Sequence, residues 1–292
     1  MNYLRHFGLR EAPFGITPDT SFFYACRSTQ EALNTLLIAV ANGEGFIKIT
    51  GEVGTGKTLL CRKFLATLDT AWTSAYIPNP DLEPRALVQQ IAEELGVRVE
   101  PGVDQHHLLK GITRVLLDNA RQGRRVVLCM DESQGMPLET LETVRLLTNL
   151  ETEKRKLLQV VLFGQPELDR KLAMESIRQL RQRITFQYAL HGLDHEEIGA
   201  YVEHRLAIAG HAGAPLFDAG ALRALHKWSR GVPRLVNILA HKALLLVFGE
   251  GGRRATRRHV QDAAKDTPAA MPIRAWWWPR FGPSRAADQV MR

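Results

Sequence analysis

The feature that most constrains this chain is the eight-residue stretch Gly51–Thr58, GEVGTGKT, which matches the pattern GxxxxGK[ST]. Glycines let backbone N–H groups turn around the oxygens of a phosphate without a clash from Cβ atoms. The apolar segment 45–50 before it predicts a strand, and the periodic segment 59–68 after it predicts a helix. A strand, this loop and a helix in that order are typical of a phosphate-binding loop.

We therefore expect the loop to bind the phosphates of ATP together with Mg²⁺. Lys57 supplies a positive charge to the β- and γ-phosphates, and the Thr58 hydroxyl is the expected Mg²⁺ ligand. The helix after the loop directs its positive N-terminal end at the same phosphates. The residues predicted to surround the nucleotide here are Gly51, Glu52, Val53, Gly54, Thr55, Gly56, Lys57, Thr58 and Leu59.

A second motif supplies two acidic side chains at the end of a strand. The apolar run VVLCM at 126–130 predicts a buried strand, and Asp131 and Glu132 follow it, 74 residues after Lys57. We expect Asp131 to hold Mg²⁺ through water, and Glu132 to orient and deprotonate an attacking water. Such an acid pair favours hydrolysis of ATP to ADP and phosphate over simple nucleotide exchange. The alternative is a pair of solvated acids at a strand end.

Three further polar positions carry predicted catalytic roles. Gln165 follows the apolar segment LLQVVLFG, where it can position the lytic water or sense the γ-phosphate, or act only as a turn residue. In LRQRI at 180–184, Arg183 ahead of Arg181 is the candidate to reach into a neighbouring subunit's site, against a solvated pair of arginines. Arg234, in GVPR at a helix start, is the candidate to fold over the γ-phosphate.

Strand and helix patterns alternate as far as Leu193 and helical patterns alone follow, which predicts an α/β fold. The expected architecture is a five-stranded parallel sheet sandwiched by helices, with a small all-α lid domain. Its predicted parts are an N-terminal strap and helix at 1–44, a P-loop ATPase core at 45–193, a helical lid at 194–266, and a basic, flexible tail at 267–292.

The positive charge of the chain is concentrated near its end. The net charge is +7, yet residues 251–292 hold nine Lys/Arg against three Asp/Glu, which leaves 29 basic and 28 acidic side chains in residues 1–250. A basic segment attracts any polyanion, whether a nucleic acid or an anionic membrane surface. Because the body is nearly neutral, extensive contact with nucleic acid phosphates is not expected, although DNA remains an alternative partner.

The sequence predicts a cytoplasmic protein. It has no apolar leader with a cleavage site and no run of about 18 apolar residues. Its three cysteines are odd in number and far apart, which favours buried free thiols in a reducing compartment. Peripheral attachment at the inner face of the cytoplasmic membrane stays open, with Trp276–Trp278 and the arginines around them as one route of contact.

In this order the motifs resemble those of the AAA+ ATPases. The chain is particularly similar to the secretion and pilus-biogenesis group that includes ExeA/GspA of type II secretion, and within it to the ATPases of mannose-sensitive haemagglutinin (MSHA) type IV pilus biogenesis. The segments that carry the resemblance are FGLREAPFGITPDTSFFY (7–24), GFIKITGEVGTGKTLLCRKFL (45–65), AYIPNP (75–80), VVLCMDESQ (126–134), FGQPEL (163–168), LRQRI (180–184) and SRGVPRLVN (229–237).

The resemblance implies an ATP hydrolase that drives assembly of an MSHA-like type IV pilus or of a type II secretion machine. It implies an ATP-dependent homo-oligomer that works with membrane-associated components of that machine. It also implies that segment 7–24 packs near the adenine, with Phe14 and Pro18 as contacts. Two departures are Leu59, where the family loop often has a second Thr, and an ending without the peptidoglycan-binding domain of longer relatives, so that cell-wall contact is not expected.

Two other classes of function remain as alternatives. One is a DNA-directed AAA+ ATPase similar to the transposition helper proteins, which share this core. The other is a nucleotide-gated binding module that rarely turns over, against which the presence of Glu132 argues.

Overall fold

A five-stranded parallel sheet lies at the centre of the computed structural model, which describes residues 3–100, 102–151 and 155–271. The strands lie side by side in the order β2-β3-β4-β1-β5, and every neighbouring pair is parallel. The phosphate loop and the acid pair follow β1 and β3, so both lie at the carboxyl edge of the sheet. The strands are β1 Phe46–Gly51, β2 Trp72–Ile77, β3 Arg125–Met130, β4 Gln159–Gly164 and β5 Ile184–Leu190.

Helices cover both faces of the sheet. Successive strand residues point to opposite faces, and both faces are apolar, so each is buried under helices. Val160 and Leu162 pack into the core on one face, and Val161 and Phe163 pack into the core on the other. The predicted sheet sandwiched by helices is therefore confirmed. The helices of this part of the chain, after the short N-terminal α1 Tyr3–His6, are α2 Arg27–Ala41, α3 Lys57–Thr67, α4 Pro84–Glu94, α5 Gln105–Arg121, α6 Leu138–Leu147, α7 Pro166–Leu172 and α8 Arg178–Arg181.

In the part of the chain that the structure describes, four helices after β5 form the lid, and the N-terminal strap is built into its core. Phe7, Leu9, Phe14 and Phe22 lie at most 7% exposed in the same apolar cluster as the lid helices. The helix that follows the strap, α2, packs with the sheet instead. The lid helices are α9 Glu197–Ile208, α10 Ala219–Ser229, α11 Pro233–Gly249 and α12 Arg257–Lys265.

A tight turn fastens the lid to the end of the core. Gly231 has φ +75°, and a Cβ there would lie 2.1 Å from the carbonyl oxygen of Leu193. The Leu193 N–H donates to the Gly231 carbonyl over 2.8 Å. Only glycine permits this approach, which explains the residue that opens the GVPR motif.

The described residues after 266, which the sequence assigns to the tail, pack against the lid helices. Thr267 and Ala270 are buried, and Arg230 donates to the carbonyl oxygen of Ala269 over 2.9 Å. The rest of the predicted tail, with Trp276–Trp278, falls outside the described residues. Within those residues, no helix is both long and apolar enough to cross a bilayer, and all three cysteines are free and buried.

Candidate functional site

The phosphate loop joins β1 to α3 and is shaped by two glycines. Gly54 and Gly56 have φ +84° and +97°, a backbone region that residues with a Cβ rarely adopt. Lys57, 5% exposed, donates to the carbonyl oxygens of Gly51 at 2.8 Å and Glu52 at 3.1 Å. Burial lowers the pKa of Lys57, while nearby carboxylates act in the opposite direction. The lysine is thus a buried cation, and a phosphate beside it would supply negative charge that favours its protonated form.

The loop and the acid pair meet through one hydrogen bond. The Thr58 hydroxyl donates to Oδ2 of Asp131 over 2.5 Å, and the Glu132 N–H donates to Oδ1 over 3.0 Å. Asp131 is 2% exposed, and burial raises its pKa while the Thr58 hydrogen bond lowers it. A carboxylate held this way keeps its oxygens beside the threonine that ends the loop.

These two side chains fit a Mg²⁺ ion. Mg²⁺ takes oxygen ligands and is usually bound through one or two carboxylates together with the phosphates of a substrate. The Thr58 hydroxyl and the Asp131 carboxylate are both oxygen donors and already touch. Among the described residues, no cluster of three or more His, Cys, Asp or Glu side chains offers an all-protein site. The donor set therefore suits an ion that arrives with a nucleotide.

Glu132 lies one residue further, in an unusual backbone conformation. Its φ of 50° and ψ of 33° place a non-glycine residue in the left-handed region. Two side-chain amides donate to the same carboxylate oxygen, Oε2: Gln165 over 3.1 Å and Gln134 over 2.5 Å. The structure thus brings Gln165 together with the acid pair. Gln134, which the sequence analysis did not single out, joins them.

The lid touches the phosphate loop directly. The Arg234 N–H donates to the Gly54 carbonyl over 3.2 Å, and a Cβ on Gly54 would lie only 2.7 Å from Cβ of Arg234. Arg234 is the second residue of α11, so its exposed guanidinium stands beside the loop at the mouth of the site. No described residue accepts a hydrogen bond from that guanidinium, which leaves it available to a phosphate.

A cavity of about 200 Å³ opens above the loop, between strap, core and lid. Pro18 of the strap lies in its wall, and its carbonyl accepts from Arg62 over 3.0 Å. Phe14 does not line the cavity, because it is 3% exposed and packs edge-on against Phe217 in the lid core. The wall consists of Gly15, Ile16, Thr17, Pro18, Asp19, Val53, Gly54, Gly56, Lys57, Thr58, Leu59, Glu132, Gln165, Tyr201, Arg205, Pro233, Arg234 and Asn237.

Three lid residues in that wall were missed by the sequence analysis, and they fix the strap. Arg205, 6% exposed, donates to the carbonyls of Pro13 at 2.6 Å and Gly15 at 3.4 Å. Asn237 donates to the same Gly15 oxygen over 3.2 Å and accepts from the Tyr201 hydroxyl over 2.8 Å. The only sequence signal was a set of polar residues on the apolar faces of two helices. Helical periodicity alone does not say what they bind.

The two candidate arginines before β5 lie apart from this cavity. Arg183 is half-buried and donates to the carbonyl of Arg145 and to the Thr148 hydroxyl, both at 3.2 Å, at the end of α6. Arg181 is exposed, and no described residue accepts a hydrogen bond from it. Within one chain, therefore, Arg183 stabilises a helix end, whereas Arg181 faces outward.

The AAA domain family matches residues 40–172. General secretion pathway protein A of Aeromonas hydrophila is 40% identical over 274 residues, which is 94% of this chain and 50% of that protein. The chain therefore spans about half the length of the curated relative it matches.

Solved structures share the fold at low sequence identity. Cdc6p of Pyrobaculum aerophilum has a TM-score of 0.64 at 18% identity, over 85% of this chain and 70% of its own. The Aeropyrum pernix ORC2 protein has a TM-score of 0.61 at 16% identity, over 88% and 73%. The RuvB Holliday junction branch migration motor of Thermotoga maritima has a TM-score of 0.57 at 16% identity, over 86% and 73%.

Proposed function

The chain has the AAA+ P-loop fold, contains an AAA domain and is related to General secretion pathway protein A, and from these premises we propose that it binds Mg-ATP and hydrolyses it to ADP and phosphate. The observation that carries the proposal is the convergence of Thr58 with Asp131, and of Glu132 with Gln165, at one edge of the sheet. A loop that only bound phosphate would need no carboxylate beside the γ-phosphate position.

The roles follow from charge and reach. Lys57 and Arg234 provide positive charge on two sides of the phosphates, one from the core and one from the lid. Thr58 and Asp131 would hold Mg²⁺, which would supply further positive charge to the phosphates. Glu132 accepts the proton of the attacking water. The oxygen of that water bonds to the γ-phosphorus, while the bond from the γ-phosphorus to the β–γ bridging oxygen breaks and ADP leaves. Gln165, which touches that carboxylate, orients the same water.

We propose that ATP hydrolysis by this chain drives the assembly of a secretion or pilus machine. The 40% identity to General secretion pathway protein A over most of the chain supports a secretion machine. The resemblance of its motifs to those of the MSHA pilus ATPases supports a type IV pilus as the alternative machine. The lid rests on the phosphate loop and also holds the strap. Loss of the γ-phosphate would therefore move lid and strap together, and an oligomer would pass that movement to membrane-associated partners.

The experiment compares the wild type with Glu132→Gln and Lys57→Ala. We expect Glu132→Gln to bind a fluorescent ATP analogue while phosphate release falls at least about a hundredfold, the lower end of what a general base contributes. Lys57→Ala should lose binding itself. Glu139→Gln, which changes an exposed acid on α6, is the matched control. Hydrolysis that survives in Glu132→Gln would contradict the proposal.

The assembly role has its own test. Glu132→Gln loaded with ATP should retain membrane-associated secretion or pilus components from cells, and ADP should release them. Retention of none of these components in either nucleotide state would contradict this role while leaving the hydrolysis proposal intact.

A DNA-directed ATPase is the second candidate, favoured by one observation. A stretch of six lid residues, 253–258, contains four exposed arginines. Among them only Arg258 has a described acidic partner, Glu250. DNA should then stimulate phosphate release, and the stimulation should fall steeply with salt because released counterions drive such binding. ATPase activity that DNA leaves unchanged would exclude this candidate. The four arginines are Arg253, Arg254, Arg257 and Arg258.

A further inference from the structure

Gln134 links two residues of the candidate site through both ends of its side-chain amide. Its Nε2 donates to Oε2 of Glu132 over 2.5 Å, and its Oε1 accepts the backbone N–H of Gln165 over 3.0 Å. Gln165 closes the triangle by donating from its own Nε2 to the same oxygen of Glu132. One glutamine thus connects the residue after β3 with the residue after β4.

The backbone around Gln134 is built to present this amide. Gln134 lies in the single 3-10 turn Ser133–Gly135, which begins directly after the left-handed residue Glu132. Ser133 is fully buried and its hydroxyl donates to the carbonyl of Met130 over 3.0 Å, which ties the turn back to β3. A left-handed non-glycine residue is strained and persists only where its surroundings determine it. The turn and the Gln134 amide are those surroundings.

The two amides leave one side of the Glu132 carboxylate free. Both donate to Oε2, and no described residue donates to Oε1. The carboxylate is therefore fixed in orientation by one oxygen while the other can accept from water. Fixed orientation matters because a displacement of about 1 Å at a reacting group can cost about a hundredfold in rate.

We propose that Gln134 is a positioning residue for hydrolysis: it fixes the Glu132 carboxylate and couples it to the main chain at Gln165. The inference rests on the proposed ATP hydrolysis and adds to it a residue that need not touch the nucleotide. Because the link joins a side chain to a main chain, a shift of Gln165 also moves Glu132. Glutamine suits the position, since it supplies one donor and one acceptor at the required reach.

Two variants separate the two hydrogen bonds. Gln134→Met keeps the length of the side chain and removes both bonds, whereas Gln134→Glu keeps an acceptor for the Gln165 N–H and loses the donor to Glu132. We expect both to lower kcat about ten- to a hundredfold. ATP affinity and KM should stay close to the wild type, and Tm should fall only by the few degrees that the loss of these hydrogen bonds causes. Gln122→Met, at an exposed glutamine after α5, is the matched control.

A double-mutant measurement shows whether Gln134 acts through Glu132. In a Glu132→Gln background the base is already absent, so adding Gln134→Met should cause no further loss of kcat. A further loss of tenfold or more would overturn the assignment, as would wild-type kcat in both single variants. A fall in Tm and ATP affinity that matches the fall in kcat would also overturn it in favour of a structural role. If the wild type itself releases no phosphate, the hydrolysis proposal and this inference both fall.

Discussion

The backbone N–H of Arg234 in the lid lies 3.2 Å from the carbonyl oxygen of Gly54 in the phosphate loop and donates to it. The two residues are 180 positions apart in the chain, yet their main chains are in direct contact. A movement of the phosphate loop is therefore transmitted to the lid through this backbone contact, independently of the side chains that face the nucleotide site. This contact explains why the middle glycine of the loop has no room for a side chain.

Gly54→Ala should damage both the fold and the site. A Cβ at this position would lie 2.7 Å from Cβ of Arg234, and the φ of +84° would add a cost of about 1–2 kcal/mol. We expect a lower Tm, together with weaker ATP binding because the lid is pushed off the loop. Thermal unfolding and ATP titration measure the two effects. Gly249→Ala, where a Cβ meets no atom within 4 Å, should change neither.

Arg205→Met should lower the free energy of unfolding by about 1–3 kcal/mol, because it leaves the buried carbonyl of Pro13 without its donor. The arginine also lies 4.6 Å above the ring of Phe22, a contact that methionine replaces only in part. Urea unfolding measures the loss. Arg223→Met removes an exposed arginine of the lid and should stay within about 0.5 kcal/mol of the wild type. Equal stability of the two variants would contradict the role of Arg205.

The contact of the strap with α11 should weaken in acid. His241 packs edge-on against Tyr3, with ring centroids 5.5 Å apart, and burial lowers the pKa of His241 below its usual 6.5. The folded state thus favours the neutral imidazole, so its contribution is present above pH 6.5 and is lost as the pH falls through the folded pKa. Tm should fall more between about pH 7.5 and about pH 5.5 in the wild type than in His241→Phe. Equal falls would contradict this prediction.

Substitutions of the two arginines before β5 should have different effects on Tm and on ATP hydrolysis in an oligomer. Arg183→Ala should lower Tm, since it removes two hydrogen bonds at the end of α6, each worth about 0.5–1.5 kcal/mol. Arg181→Ala should leave Tm unchanged and lower kcat only where the protein oligomerises. The sequence ranks Arg183 first, but its hydrogen bonds within the chain now favour Arg181 as the residue that reaches a neighbour.

Mixing variants tests that assignment. Arg181→Ala keeps an intact phosphate loop and acid pair, while Glu132→Gln keeps an intact Arg181. If the arginine acts in trans, the mixture should hydrolyse ATP faster than either protein alone. Restoration with Arg183→Ala in place of Arg181→Ala would return the role to Arg183.

The spacing of apolar residues predicted the sheet and the helices. Side chains alternate between the two faces of a strand and return to one face of a helix about every 3.6 residues, so a buried face leaves a regular pattern in the sequence. The same pattern also placed Asp131 and Gln165 directly after strands, and Thr58 at the start of the helix that follows the phosphate loop. These residues meet because the parallel strands share one edge. The pattern could not place Phe14, since the strap has no period and its partners lie about 200 residues further along the chain. Gln134 escaped for another reason: a three-residue turn has no pattern that predicts where its side chain points.

The strap within the lid core has a consequence for synthesis of the chain. Phe7, Phe14 and Phe22 leave the ribosome well before the helices that bury them, which span residues 197–265. At about 5–20 residues per second, roughly 200 residues take about 10–40 s to follow. For that interval three aromatic side chains near the N-terminus have no native partner. The nascent chain therefore exposes apolar side chains that a chaperone can bind until the final third of the chain emerges.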